Sequence, residues 1–153
     1  MTEQKPPRKT IEPLKERQLQ LVKEFQLINK WEDRYRKIIS IGKTLPPLED
    51  QHKTDDLKVK GCQSQVWLMA RQDEHQHLHF QADSDALIVK GLVAILLRIY
   101  TDATPDEILN TPPDFIKELG FAHHLSPSRT NGLYALIKQI FFYATAFKYQ
   151  QTM

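Results

Sequence analysis

Hydrophobic and polar residues change rhythm twice along this chain. From Ile11, apolar residues fall at Leu14, Leu19, Leu21, Val22, Phe25 and Ile28, a spacing close to one face of a helix. Asn29 and Lys30 break the pattern. Trp31, Tyr35, Ile38, Ile39 and Gly42 then mark one face of a second helix, Trp31 to near Thr44. Leu45-Pro46-Pro47 ends it, because proline cannot continue a helix and pushes the residue before it out of helical geometry. Residues 48–58 are charged and loop-like. The period next drops to two. Val66, Leu68 and Ala70 alternate with Trp67, Met69 and Arg71, and Leu78, Phe80 and Ala82 alternate with His77, His79 and Gln81. That predicts two antiparallel strands joined by a turn at Asp73 to Gln76, with Leu57 to Lys60 as a third short strand.

Helical spacing then returns. Ser84 as a cap and Asp85 in the first turn predict a helix over Asp85 to Tyr100, apolar on nearly all sides and so central in the domain. Thr104-Pro105-Asp106-Glu107 combines a capping residue, a proline at the first helical position and a capping-box acid, and predicts a short helix to Leu109. Pro113 to Leu119 gives another, stopped by Gly120. Ser126-Pro127 opens the last helix, which runs to near Tyr149 with Tyr134, Phe141, Phe142 and Phe147 mostly toward the core. The order is helices, a small antiparallel sheet of about three strands, then helices, which is the α+β class.

The length of 153 residues suits a single domain with its own core, residues 11–153. Residues 1–10 are polar and proline-containing, and predict a flexible tail. No apolar leader segment is expected there. A hydrophobic share of 41% and a charged share of 26% are ordinary for a soluble globular protein. The formal net charge is only +2, with Lys and Arg scattered, which argues against a nucleic-acid partner. The most apolar stretch, Leu87 to Tyr100, contains Lys90 and Arg98 and falls short of the roughly 20 residues needed to cross a bilayer. No membrane association is expected.

Cys62 is the only cysteine. It cannot make an intramolecular disulfide, a CxxC redox pair or a thiolate zinc cluster. A free thiol favours a reducing compartment, and a cytoplasmic location is the expectation. Lys60, Gly61, Gln63 and Ser64 around it are polar or small, as in a loop rather than a core. Gly61 lets the backbone bend sharply and leaves room beside the sulfur. The chemistry open to such a thiol is sulfur exchange: attack on the outer sulfur of a persulfide carried by another protein. A structural cysteine is the plain alternative. His75, His77 and His79 alternate, but neighbours two apart on one strand make poor tetrahedral geometry without further ligands. A solvent-facing strand is therefore expected, with no metal site. Arg129 lies in the first turn of its helix, the unfavourable end for a cation. That placement points to an acidic partner or to a thiolate. Trp31, Tyr35 and Trp67 are expected to be core or semi-buried.

Gly61-Cys62-Gln63-Ser64-Gln65-Val66-Trp67 resembles the defining motif of the SufE family. Further matching segments follow in order: Trp31-Glu32-Asp33-Arg34-Tyr35, Leu45-Pro46, Asp83-Ser84-Asp85-Ala86-Leu87-Ile88-Val89-Lys90-Gly91-Leu92, and His124-Leu125-Ser126-Pro127-Ser128-Arg129-Thr130-Asn131-Gly132-Leu133. The resemblance implies an α+β fold and a sulfur acceptor that takes persulfide sulfur onto Cys62 from a SufS-type cysteine desulfurase. It would stimulate that enzyme and pass the sulfur to an iron–sulfur scaffold complex. Pyridoxal phosphate would belong to the desulfurase, with no cofactor on this chain. The protein would be a monomer or homodimer, and a carrier rather than a stand-alone enzyme. Gly61, Gln63, Ser64, Asp85 and Arg129 would form the cysteine loop and partner surface. Asp85 would hold the loop, and Arg129 would lower the Cys62 pKa or contact the desulfurase. Gln63-Ser64-Gln65 resembles the SufE type more than the related CsdE type. The family commonly has glycine before Asp-Ser-Asp, where this chain has Ala82; a positive φ required at that position would strain the alanine. A stand-alone cysteine-nucleophile enzyme with a histidine base and a helical interaction module with an incidental cysteine are the alternatives.

Overall fold

The computed structural model describes residues 13–150. The tail expected over residues 1–10, and the start of the first helix at Ile11, lie outside them. Helices α1 (Leu14–Gln26) and α2 (Trp31–Lys43) come first, then two short 3₁₀ turns, Asp50–His52 and Asp55–Leu57. Strands β1 (Val66–Gln72) and β2 (Leu78–Ser84) form an antiparallel hairpin in register from Val66 opposite Ser84 to Gln72 opposite Leu78. Helices α3 (Leu87–Tyr100), α4 (Pro105–Leu109), α5 (Phe115–Glu118), α6 (Phe121–His124) and α7 (Pro127–Gln150) follow. The expected α+β order is the observed one.

The apolar α3 lies at the centre, packed by α2, β2, α7 and α1. Val93, Ile95, Leu96, Ile99 and Tyr100 are fully buried on it. Two glycines let α2 and α3 touch backbone to backbone. A β-carbon on Gly91 would stand 2.2 Å from the Ile38 carbonyl oxygen, and one on Gly42 would stand 2.7 Å from the Gly91 nitrogen. Leu68, Leu78, Phe80 and Ala82 form the buried side of the hairpin. Arg98 on α3 grips Glu24 on α1 through two hydrogen bonds of 2.8 and 2.6 Å. The capping box at Thr104 forms as its sequence requires.

Several expectations are corrected. The sheet has two strands among the described residues, not three. Residues 55–57 turn as 3₁₀ helix, and only Lys58 bridges β1, opposite Trp67. The Lys60-Gly61 turn, with Gly61 at φ +92°, then carries the backbone away before a ladder can extend. Strand β2 runs on through Ser84, so Ala86 is the cap position of α3 and Asp85 lies before the helix. Tyr134 and Phe142 are exposed; α7 turns Leu133, Leu136, Ile137, Ile140 and Ala144 inward instead, and adjacent residues on a helix cannot all share that face. His75 sits in the hairpin turn, and His77, just before β2, is buried. The Leu78–Ala103 bridge folds residues 101–103 over that end, so the histidines do not form a solvent-facing row. Ala82 carries no strain: it is buried in β2, and the positive-φ non-glycine residues among those described are Gln76 and Asp102. Trp31, Tyr35 and Trp67 are semi-buried as expected. Trp31 stacks on His124 at 4.1 Å, and the Tyr35 hydroxyl donates to the His124 carbonyl.

Candidate functional site

Cys62 sits on a loop pinched at its base. The Val59 N–H donates to the Val66 carbonyl at 2.8 Å, so residues 60–65 leave the hairpin and return to it. Asp85 fastens the same base. Its carboxylate accepts from the Gln65 N–H at 3.0 Å, and its own N–H donates to the Gln65 carbonyl at 3.3 Å. The tip lies on the first turns of α7. The Gln63 side-chain oxygen accepts from the Ser128 hydroxyl at 3.1 Å, and the Cys62 Sγ lies 3.6 Å from the Gly132 carbonyl. Gly61 is exposed, Ser64 half-buried.

Cys62 itself is half-buried, beside a cavity of about 330 Å³. Val89, Leu92 and Val93 of α3, with Leu133 and Leu136 of α7, give it an apolar lining; Ser126, Ser128 and Arg129 add polar groups. A β-carbon at Gly132 would already touch Sγ at 3.5 Å, so a longer side chain there would take the space beside the sulfur. The described residues lining this cavity include no histidine and no carboxylate. The structure thus gathers Cys62, Gln63, Ser64 and Arg129 around one space and puts Asp85 at the loop base. Sequence reasoning gave no role to Gly132, Ser128 or the apolar lining. A glycine inside a helix costs about 1 kcal/mol relative to alanine, and that cost was the available signal for a close approach at Gly132.

Burial pushes the Cys62 thiol above its ordinary pKa, and no neighbouring charge counters it. Arg129 lines the same cavity but has no part in that shift. The stabilisation of the protonated thiol is complete below the unfolded pKa, about 8.5, and is lost as pH rises through the higher folded value. Alkylation of native protein by iodoacetamide should therefore show a midpoint displaced to alkaline pH relative to the same chain in denaturant. An equal midpoint in both states would refute the burial argument. Asp85→Ala should raise the neutral-pH alkylation rate about five-fold, since an exposed hydrogen bond contributes about 1 kcal/mol; no change would mean that Asp85 does not hold the loop.

The fold and site define a class: an α+β domain that carries one half-buried thiol on a loop over an apolar cavity. The SufE family model, described as an Fe-S metabolism associated domain, matches residues 19–144. The chain belongs to the SufE family. It is 41% identical over 128 residues to the SufE-like protein 1, chloroplastic/mitochondrial, of Arabidopsis thaliana. That match covers 84% of this chain and 34% of the plant protein, so the chain spans about a third of that relative's length. The fold resembles the solution structure of a hypothetical protein from Thermus thermophilus, with a TM-score of 0.70 and 20% identity, covering 86% of this chain and 95% of that one. Among the described residues no helix is long and apolar enough to cross a membrane.

Proposed function

We propose that this protein is a sulfur acceptor, loading persulfide sulfur onto Cys62 from a SufS-type cysteine desulfurase and delivering it to an iron–sulfur scaffold complex. The observation that carries this reading is the half-buried Cys62 on a loop beside an apolar cavity, in a chain of the SufE family. In the transfer, the Cys62 thiolate attacks the outer sulfur of the donor's Cys–S–SH. One S–S bond forms and one breaks. The donor cysteine leaves as a thiolate and takes up the proton that Cys62 released. No oxidant or reductant is consumed.

The resting arrangement suits storage more than attack. A thiol with a raised pKa is a poor nucleophile until the loop moves into the donor's site. Loaded and withdrawn, the terminal sulfur would share the cavity with Val89, Leu92 and Leu133, away from reductants and oxidants. Arg129 and Gln63, both exposed, are assigned to partner contact. Lys58, Lys60 and Lys138 lie around an adjoining cavity with Asp56, Gly61 and Phe142; three cations against one carboxylate make a net basic, partly apolar surface suited to an acidic partner. Removal of the donor's persulfide would free the desulfurase for another turnover, which is how the protein would stimulate it. Pyridoxal phosphate stays with the desulfurase. The cytoplasm is the compartment proposed for this chain, while the name of the plant relative is organellar. The stand-alone thiol enzyme is disfavoured, because the lining beside Cys62 offers no histidine or carboxylate as base.

The test is mass spectrometry after incubation with a cysteine desulfurase and cysteine. The native chain should gain one or more sulfur atoms, removable by dithiothreitol, and Cys62→Ser should gain none. Equal labelling of both would overturn the proposal. Arg129→Ala should slow loading about ten-fold with unchanged thermal stability; unchanged loading would remove Arg129 from the partner surface.

A further inference from the structure

The opposite end of the hairpin holds a second cluster of chemistry-bearing side chains. Strands of seven residues put the turn roughly 20 Å from the Cys62 end, so the cluster is separate from the sulfur site. Asp73 opens the turn. Its Oδ1 accepts the N–H groups of His75 and His77, each at 2.9 Å, which leaves Oδ2 facing His79 Nε2 at 2.8 Å. Asp102 arrives from the segment after α3. Its N–H donates to the Leu78 carbonyl at 2.7 Å, and the Leu78 N–H donates to the Ala103 carbonyl at 2.7 Å. The chain is thereby fastened at Leu78, the residue between His77 and His79. Arg17 holds the same segment through the Asp102 carbonyl at 3.2 Å.

The result is one imidazole and two carboxylates around one point, with the His77 imidazole beside Asp102. Asp102 Oδ1 lies 3.5 Å from His77 Nδ1 and 3.7 Å from His79 Nε2. Ligand atoms of Asp73, His79 and Asp102 all lie within 4.8 Å of one another. His77 is only 9% exposed, and its Nδ1 is buried without a hydrogen-bond partner. A buried imidazole nitrogen with no hydrogen-bond partner loses free energy that a ligand would restore. The backbone of Asp102, at φ +53°, is in the left-handed region, a conformation held here by the surrounding hydrogen bonds.

We propose that Asp73, His79 and Asp102 bind a divalent transition-metal ion, with zinc as the best fit, and that the unpartnered His77 Nδ1, 3.5 Å from Asp102 Oδ1, closes on it as the fourth ligand. Bonds of 2.0–2.1 Å around a tetrahedral ion put ligand atoms about 3.4 Å apart. The 3.5 and 3.7 Å separations are already close to that edge. The 2.8 Å pair, His79 Nε2 and Asp73 Oδ2, stands inside that edge and has to open by about half an ångström around the ion. A mixed imidazole and carboxylate set selects zinc over magnesium or calcium, which prefer oxygen alone. Sequence spacing argued against a metal because two histidines on one strand lack further ligands. The fold supplies them from Asp73 and Asp102. The ion would clip the hairpin turn to the segment that leaves α3, a structural role that does not involve Cys62.

The experiment uses the full chain as Cys62→Ser, which removes the thiol as a competing ligand, stripped of metal and titrated calorimetrically with zinc chloride. One equivalent should bind. At free zinc about a hundred times Kd the melting midpoint should rise by about 5–10 °C. Cobalt(II) should give the visible absorption of a tetrahedral site. His79→Gln and Asp102→Asn should each weaken zinc binding at least ten-fold while retaining the native circular dichroism spectrum; asparagine tolerates the left-handed backbone at 102. The absence of saturable one-to-one binding would overturn the proposal, as would undiminished affinity in both variants.

Discussion

Gly91→Ala is expected to destabilise the protein by about 3 kcal/mol, lowering the melting midpoint by about 10 °C. The change adds one methyl group to a helix, where alanine is intrinsically favoured over glycine by about 1 kcal/mol. The added carbon would stand 2.2 Å from the Ile38 carbonyl oxygen, 2.6 Å from its Cγ2 and 2.7 Å from its carbonyl carbon. Two of those three atoms are backbone and cannot rotate away. Relief requires α2 and α3 to separate, and that opens the centre of the core around Ile38 and Leu92. Gly132→Ala provides the contrast. It is also a helical glycine, but its nearest neighbour is the Cys62 Sγ at 3.5 Å, an ordinary contact. There the helix-propensity gain should prevail, and stability should rise by up to about 1 kcal/mol. Thermal melts of both variants check the pair. Equal effects would show that propensity, not helix contact, governs these positions.

The contrast also shows where the sequence was legible. Periodicity identified α1, α2 and both strands, because each buries one face and the apolar spacing records it; α3 was legible as an apolar run and α7 from its Ser126-Pro127 start. Caps were legible where the chemistry is local: Thr104, Pro105 and Glu107 form the capping box that their spacing predicts. What failed was competition between elements. Ser84 and Asp85 have the composition of a helix start, yet β2 keeps Ser84 in the strand and Asp85 is recruited to the Cys62 loop. The Leu57 to Lys60 segment has strand-like alternation, but the turn at Gly61 ends pairing after one bridge. Gly91 was passed over as one residue in an apolar run. Its importance lies in a partner helix far earlier in the chain, which no local window contains.

The cysteine site was half legible for the same reason. Loop character around Cys62 follows from its neighbours, and the half-buried placement agrees with it. The cavity does not follow, because its lining combines residues from α3 and α7 that appear in sequence as ordinary core positions. The thiol's resting electrostatics are set by burial. A cation in the first turn of α7 suggested help for a thiolate, but burial dominates and the thiol is pushed up. A resting thiol that reacts poorly with solvent and a loop held by a few hydrogen bonds are compatible properties. Under the proposed function, Cys62 stays quiet while unbound, and activation is left to the partner that pulls the loop out.

Asp83→Asn is the second large effect, a loss of about 3 kcal/mol. Asp83 is 4% exposed, near the end of β2. Its Oδ1 accepts the Ser84 N–H at 2.8 Å and faces Lys90 Nζ at 3.4 Å. Its Oδ2 accepts the Leu48 N–H at 3.1 Å and faces Lys53 Nζ at 3.6 Å. One carboxylate therefore ties the 48–53 segment, β2 and α3 together. Burial on its own would raise the carboxyl pKa; the Leu48 and Ser84 N–H groups, then Lys90, outweigh it and hold it below the usual carboxylate range. Asparagine has one acceptor oxygen, so whichever way it turns, an NH₂ group faces a backbone N–H. The charge that the two lysines face is lost as well. Because the folded pKa is depressed, the native contribution is complete above the unfolded aspartate pKa, about 3.9, and is lost as pH falls through the folded value. Urea titrations at pH 7 and pH 3 should show a smaller gap between native protein and Asp83→Asn at the lower pH. A gap independent of pH would mean that the carboxylate's charge contributes nothing and that shape alone explains the loss.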